Sequence, residues 1–234
     1  MRRIHTCFKD AVVKWSQYCC DVSQPVTVAR RRTAYLVLLA PLYLNDFAFI
    51  VLKGSDIVYV IDHAVRIAVL AMMMLWPLSR KIALEVEPAR PRTGLAIFAI
   101  VMIGVADLLS GRFIEVPLTS WAEWTVLFQF HSLQNPTLYW LDLTIGLILV
   151  ALSEELICRK FAYSWLKSAG RPGWKIVLIS SVLFALSHWS KGIGNISTAI
   201  LFGLLAMIVY LKMKRIWPLI LAHWIVNFIA FLYH

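Results

Sequence analysis

The sequence predicts an all-α fold: a polytopic transmembrane helical bundle of about seven spans, with a basic N-terminal tail in the cytoplasm. Three observations carry this. First, 60% of the 234 residues are hydrophobic and mean hydropathy is +0.73, where a soluble domain is about 45–50% apolar. Second, the apolar residues come in runs of about 16 to 23, the length that crosses a bilayer as helix. Third, the basic residues cluster between these runs, as topology signals do. The net charge of +10 therefore does not point to nucleic acid.

Residues 1–33 form a basic, weakly amphipathic tail ending in Arg30-Arg31-Arg32, with Trp15 and Tyr18 suited to the membrane surface. Its Cys7, Cys19 and Cys20 lack zinc-type spacing; unmodified thiols are the simplest reading, with acylation of Cys19-Cys20 as the alternative. The first span is about 34–52, with Pro41 and Asn45-Asp46 inside it. The second, about 57–78, carries Asp62 and Arg66, four apart and so able to pair on one face; this pair is most simply structural and Asn45-Asp46 a helix–helix contact, with lining the entry to a cavity as the alternative for either. A charged loop over 79–93 leads to the third span, about 94–110. Residues 111–137 are mixed, and Trp121, Trp124, Phe128 and Phe130 fit an interfacial or a re-entrant piece. The fourth span starts near Leu138 and continues as helix to about Lys167. The turn Ala169-Gly-Arg-Pro-Gly173 follows, then spans over about 174–190, 196–211 and 216–233. Asp107 and Asp142 fall near span ends and are expected to reach the interface.

The chain divides into a tail (1–33), N-terminal spans with an interfacial segment (34–137) and a helical core (138–234), all in one membrane domain. All of the 23 Lys and Arg residues except Lys53, Arg112, Lys191 and the intramembrane Arg66 fall on one side of such a bundle. The positive-inside rule then places the N-terminus in the cytoplasm and the C-terminus outside, in a cell (inner) membrane.

The chemistry concentrates at Ser153 to Lys160, where Glu154 and Glu155 stand together in an apolar helix. A central acidic residue costs roughly 2.5–3.5 kcal/mol on insertion scales, so it faces protein or a wet cavity. A buried ion pair locking two helices is the structural alternative to a functional site. Glu155 and Arg159 are four apart in the favourable order for pairing, which would leave Glu154 free. Phe184 and His188 lie in the fifth span; His223 and Asn227 share a face of the seventh. Glu154 and His188 are equidistant from Arg171 at the centre of the intervening turn, so an antiparallel hairpin sets them at one height. The pocket is then expected just below the cytoplasmic face. A carboxylate can take a proton from water and a histidine can hold that water. A second histidine and an amide can donate to a developing oxyanion, so amide hydrolysis fits the set. Two His and one or two Glu also form an acceptable zinc set, although the helical His-Glu-x-x-His motif is absent.

Glu154, Glu155 and Arg159, then Phe184 and His188, then His223 and Asn227, in this order, resemble the motifs of the CAAX protease and bacteriocin-processing family of intramembrane proteases. The resemblance covers about residues 138–234. It implies a glutamate-dependent endopeptidase without a cofactor, acting on a membrane protein or peptide. It makes Glu154 the general base, with His188 helping to activate the water. His223 and Asn227 become the oxyanion pocket, and Glu155, Arg159 and Phe184 support the site. Prenylated C-terminal tails are one substrate reading; a bacterial membrane-anchored precursor fits the compact chain slightly better. The alternatives are a metal-dependent version of the same protease and a non-catalytic scaffold or immunity-type protein. The sequence leaves the oligomeric state open.

Overall fold

A computed structural model of the protein describes residues 26–86, 88 and 93–232. Most of the basic tail, including Trp15, Tyr18 and the three tail cysteines, lies outside the described residues, as do Arg90 and Arg92 of the charged loop. Among the described residues the chain is helical with no strand, a helical membrane bundle. Helix α1 is Val28–Val51, α2 is Ile57–Leu75, α3 is the short Pro77–Leu84 and α4 is Thr93–Trp121. Helix α5 runs unbroken over residues 136–168, followed by α6 (Gly173–Leu186), α7 (Gly192–Met213) and α8 (Trp217–Leu232). Four of these (α1, α2, α4 and α7) are long and apolar enough to cross a membrane, and α6 and α8 are shorter apolar helices.

The burial pattern is what lipid as solvent requires. Leu44, Phe47, Ile97, Phe98 and Val101 point outward, whereas Glu155 and Arg159 are fully buried. Helix α5 is the hub, packing against α1, α2, α3, α6, α7 and α8. Its stretch from Ala151 to Tyr163 is buried almost all round, so its four charged or acidic side chains can be satisfied only by neighbouring helices. Helices α6 and α7 approach closely at Gly203, where an added Cβ would stand 3.0 Å from the Ser181 backbone. Close packing of this kind associates helices when lipid removes the hydrophobic drive between them.

Several expected boundaries move. Helix α1 begins at Val28 because Thr27 caps it, accepting a bond from Arg30 N. Helix α4 does not stop at 110. It passes through a π-helical turn, Gly111–Glu115, and reaches Trp121. Glu115 is satisfied there by Asn195 Nδ2 at 3.0 Å and Thr198 Oγ1 at 3.1 Å, so its charge does not end the helix. Asp107 accordingly sits well inside α4 and is partly buried, not at an interface. Beyond one short turn, Glu123–Thr125, residues 126–135 are non-helical. Phe128 of this segment is buried against Phe49, and Tyr59 donates to the His131 carbonyl at 2.7 Å. The segment is thus a strap across one end of the bundle, with Trp121 and Trp124 exposed beside it. Helix α6 ends at Leu186, which puts His188 in a turn.

Candidate active site

Two π-helical turns in α5, Asp142–Gly146 and Leu156–Phe161, bracket the acidic pair. Such bulges widen a helix and re-aim its side chains, and they recur at functional sites. Between them Glu154 and Glu155 point to different partners.

Glu155 accepts from Arg159 Nε at 3.0 Å and Nη2 at 3.3 Å, as the spacing predicts. It also accepts from His223 Nδ1 at 2.9 Å. Both ends of the Glu155–Arg159 pair are inaccessible to solvent. The guanidinium lies 4.6 Å from the Phe184 ring centre and 5.9 Å from that of Phe202. Phe184 therefore acts as a platform, meeting His188 edge-on at 4.9 Å.

Glu154 is not left free. Its Oε1 accepts from Arg66 Nη1 at 3.0 Å. Arg66 also donates to Ser153 Oγ at 3.1 Å, and its Nε holds Asp62 at 2.9 and 3.0 Å. Asp62 in turn accepts from Asn45 Nδ2 at 2.6 Å. The pair Asp62–Arg66, expected to be structural or to line the cavity's entry, lines the cavity from the α2 side. The second oxygen, Glu154 Oε2, is buried without a hydrogen bond, 3.8 Å from His223 Nε2.

Glu154, His188, His223 and Asn227 all line one cavity of about 90 Å³, room for several waters. His188 Nδ1 lies 3.1 Å from the Phe184 carbonyl, which can only accept. Nδ1 therefore carries the proton, and in the neutral ring Nε2 holds a lone pair. By the same logic Glu155 fixes a proton on His223 Nδ1. His223 Nε2 can then donate only when the ring is an imidazolium.

The structure brings together all seven residues singled out from the sequence, four lining the cavity and three packed beside them. Sequence reasoning missed Arg66 as the partner of Glu154, because that contact joins residues 88 positions apart. It also misplaced Asp142, which is buried at the cavity, with His63 Nε2 3.1 Å from its Oδ1. Gly146 permits that approach, since a Cβ there would collide with the His63 ring. The cavity also extends differently than expected. Its lining from Asp46, Phe49, Tyr59 and Lys191 belongs to the strap end of the bundle, away from the basic end where Arg31 meets Glu85 and Ser164. Among the described residues no group of three or more His, Cys, Asp or Glu is arranged to hold a metal ion.

Residues 136–229 match the family model described as Rce1-like, type II CAAX prenyl endopeptidase Rce1-like, over about two fifths of the chain. No curated protein and no solved structure matches. The matched segment spans α5 to α8 and contains every candidate catalytic residue, whereas Asn45, Asp62 and Arg66 lie before it. The family implies CAAX endopeptidase activity within a membrane. By this match, and by the motifs its helices carry, the α5–α8 core of the chain is similar to the Rce1-like CAAX endopeptidases.

Proposed function

We propose that the protein is an intramembrane endopeptidase that hydrolyses a peptide bond of a membrane-anchored or lipid-associated substrate with water activated by Glu154. The observation that supports this most directly is Glu154 Oε2, buried without a hydrogen bond on a residue that lines one cavity with His188, His223 and Asn227. Water in that cavity can give its proton to Oε2 while the His188 Nε2 lone pair accepts a hydrogen bond from it and holds it in line. Attack on the scissile carbonyl creates an oxyanion. The Asn227 amide, which makes no hydrogen bond among the described residues, and the protonated His223 Nε2 can donate to it. Collapse of the intermediate breaks the C–N bond, and the proton taken by Glu154 passes to the leaving amine. Glu155 orients His223 and balances Arg159, and no cofactor enters these steps. The match to a CAAX prenyl endopeptidase model favours a lipidated C-terminal tail as substrate.

The test is cleavage of a membrane-anchored substrate by the purified full-length chain in proteoliposomes. Glu154→Gln, His188→Ala and His223→Ala should each abolish cleavage with expression and fold intact. Retained cleavage in Glu154→Gln refutes the assignment. Loss of wild-type cleavage on chelation, restored by zinc, would favour the metal-dependent version. Biological function surviving all three substitutions would favour a scaffold. The N-terminus-cytoplasmic orientation is proposed alongside and is checked by protease accessibility of the two termini.

A further inference from the structure

The cavity changes character along its length. Around Glu154 it is ionic, and towards the strap it is aromatic, lined by Phe49, Phe128, Phe130 and Phe231. Phe49 stacks on Phe128 at 4.9 Å and Phe130 meets Phe231 at 5.0 Å, so these rings brace one another. One cation stands among them. Lys191 Nζ lies 4.7 Å from the centre of the Phe130 ring.

The other charged groups lining the cavity have partners. Asp46 accepts from Ser190, Asp62 and Glu154 share Arg66, and Asp142 faces His63. Among the described residues the Lys191 ammonium has neither a hydrogen bond nor an ion pair, only the ring. Its backbone is nevertheless fixed. Lys191 N donates to the His188 carbonyl at 3.0 Å, and the residue forms an antiparallel bridge with Val126 of the strap. Leu127 N donates to the Ser190 carbonyl at 2.8 Å beside it. The ammonium is thus held one turn from His188, on a residue that lines the cavity with Asp46 and Glu154.

A partly buried ammonium that makes no hydrogen bond and no ion pair among the described residues attracts an anion. The acids of the cavity are already engaged, so the anion comes with whatever enters. If the occupant is a peptide, as the protease reading holds, the one anion every peptide carries is the α-carboxylate at its C-terminus. We propose that Lys191 and the rings around it form the subsite for the last residue of the substrate. The ammonium takes the free α-carboxylate and the rings take an apolar terminal side chain. The proposal rests on the protease reading for its occupant, and it makes the enzyme measure its cut from the end of the chain.

Two measurements on the full-length protein in micelles test it: hydrolysis and equilibrium binding of paired peptides. Each pair shares a prenylated cysteine followed by three apolar residues. One member ends in a free acid and the other in an amide. A third peptide, an amide with Asp as last residue, separates a side-chain carboxylate from the main-chain one. A charge-assisted bond of this kind should favour the free acid about tenfold, chiefly in KM and Kd. Lys191→Met should bring the acid-to-amide ratio near one, and Lys191→Arg should keep it. Hydrolysis without acid preference overturns the subsite and leaves the protease reading standing. Lys191-dependent acid preference in binding, with no hydrolysis, overturns the protease reading and sustains the subsite. Equal binding of acid and amide, an unchanged ratio in Lys191→Met, or a preference for the Asp amide over the free acid overturns it as well.

Discussion

Arg66→Gln tests whether α2 belongs to the site. In the wild type one guanidinium serves two carboxylates: Asp62 through Nε at 2.9 and 3.0 Å, and Glu154 through Nη1 at 3.0 Å. Both acids are 7% exposed, so water does little to replace it. Breaking a single buried pair costs about 3–5 kcal/mol, because the remaining charge is stranded. Here two are stranded, while the bond from Asn45 still serves Asp62. The expected loss of unfolding free energy is about 3–5 kcal/mol, measured by denaturant titration in micelles. Asp62→Asn should recover part of it, giving a coupling of about 1–3 kcal/mol in the double-mutant cycle. Cleavage should also suffer, with kcat falling more than KM rises, because Glu154 loses the contact that holds its Oε1. A loss below about 1 kcal/mol, or additivity in the cycle, would refute the claim that Arg66 holds the α2 and α5 acids together.

Three further outcomes are expected. Glu155→Gln strands Arg159 in a site with no solvent access and should destabilise by about 3–5 kcal/mol; the unfolding midpoint in micelles reads it. Asn227→Ala should leave the fold intact and lower kcat about 10²- to 10³-fold with little change in KM, the signature of a lost oxyanion donor; steady-state kinetics separates the two constants. Gly203→Val forces α6 and α7 apart at the Ser181 backbone and should cost about 1–3 kcal/mol as overpacking, whereas Gly104→Ala, with open space around it, should be neutral. Comparison of the two unfolding midpoints checks both.

Local chemistry makes much of this protein legible in its sequence. Hydrophobic runs fix where helices form, because a backbone in lipid must satisfy its own hydrogen bonds. Spacing of four fixed Asp62 with Arg66 and Glu155 with Arg159, since a helix places such residues on one face whatever its neighbours do. Glu154 and His188, at equal distances from the Arg171 turn, both line one cavity.

What the sequence could not carry was which face meets which. Arg66 reaches Glu154 only because α2 packs on α5, a choice made by side-chain fit along both helices and invisible in either alone. The strap is legible only in three dimensions, because the aromatic residues of 126–135 gain their partners from α1, α2 and α8. Asp142 looks like an interfacial acid by position and becomes a cavity acid through a π-turn and a glycine that admits His63. Which groups are too costly to leave in lipid follows from residue type and order; how each is compensated follows from packing, because a buried charge is stabilised by what touches it and not by its place in the chain.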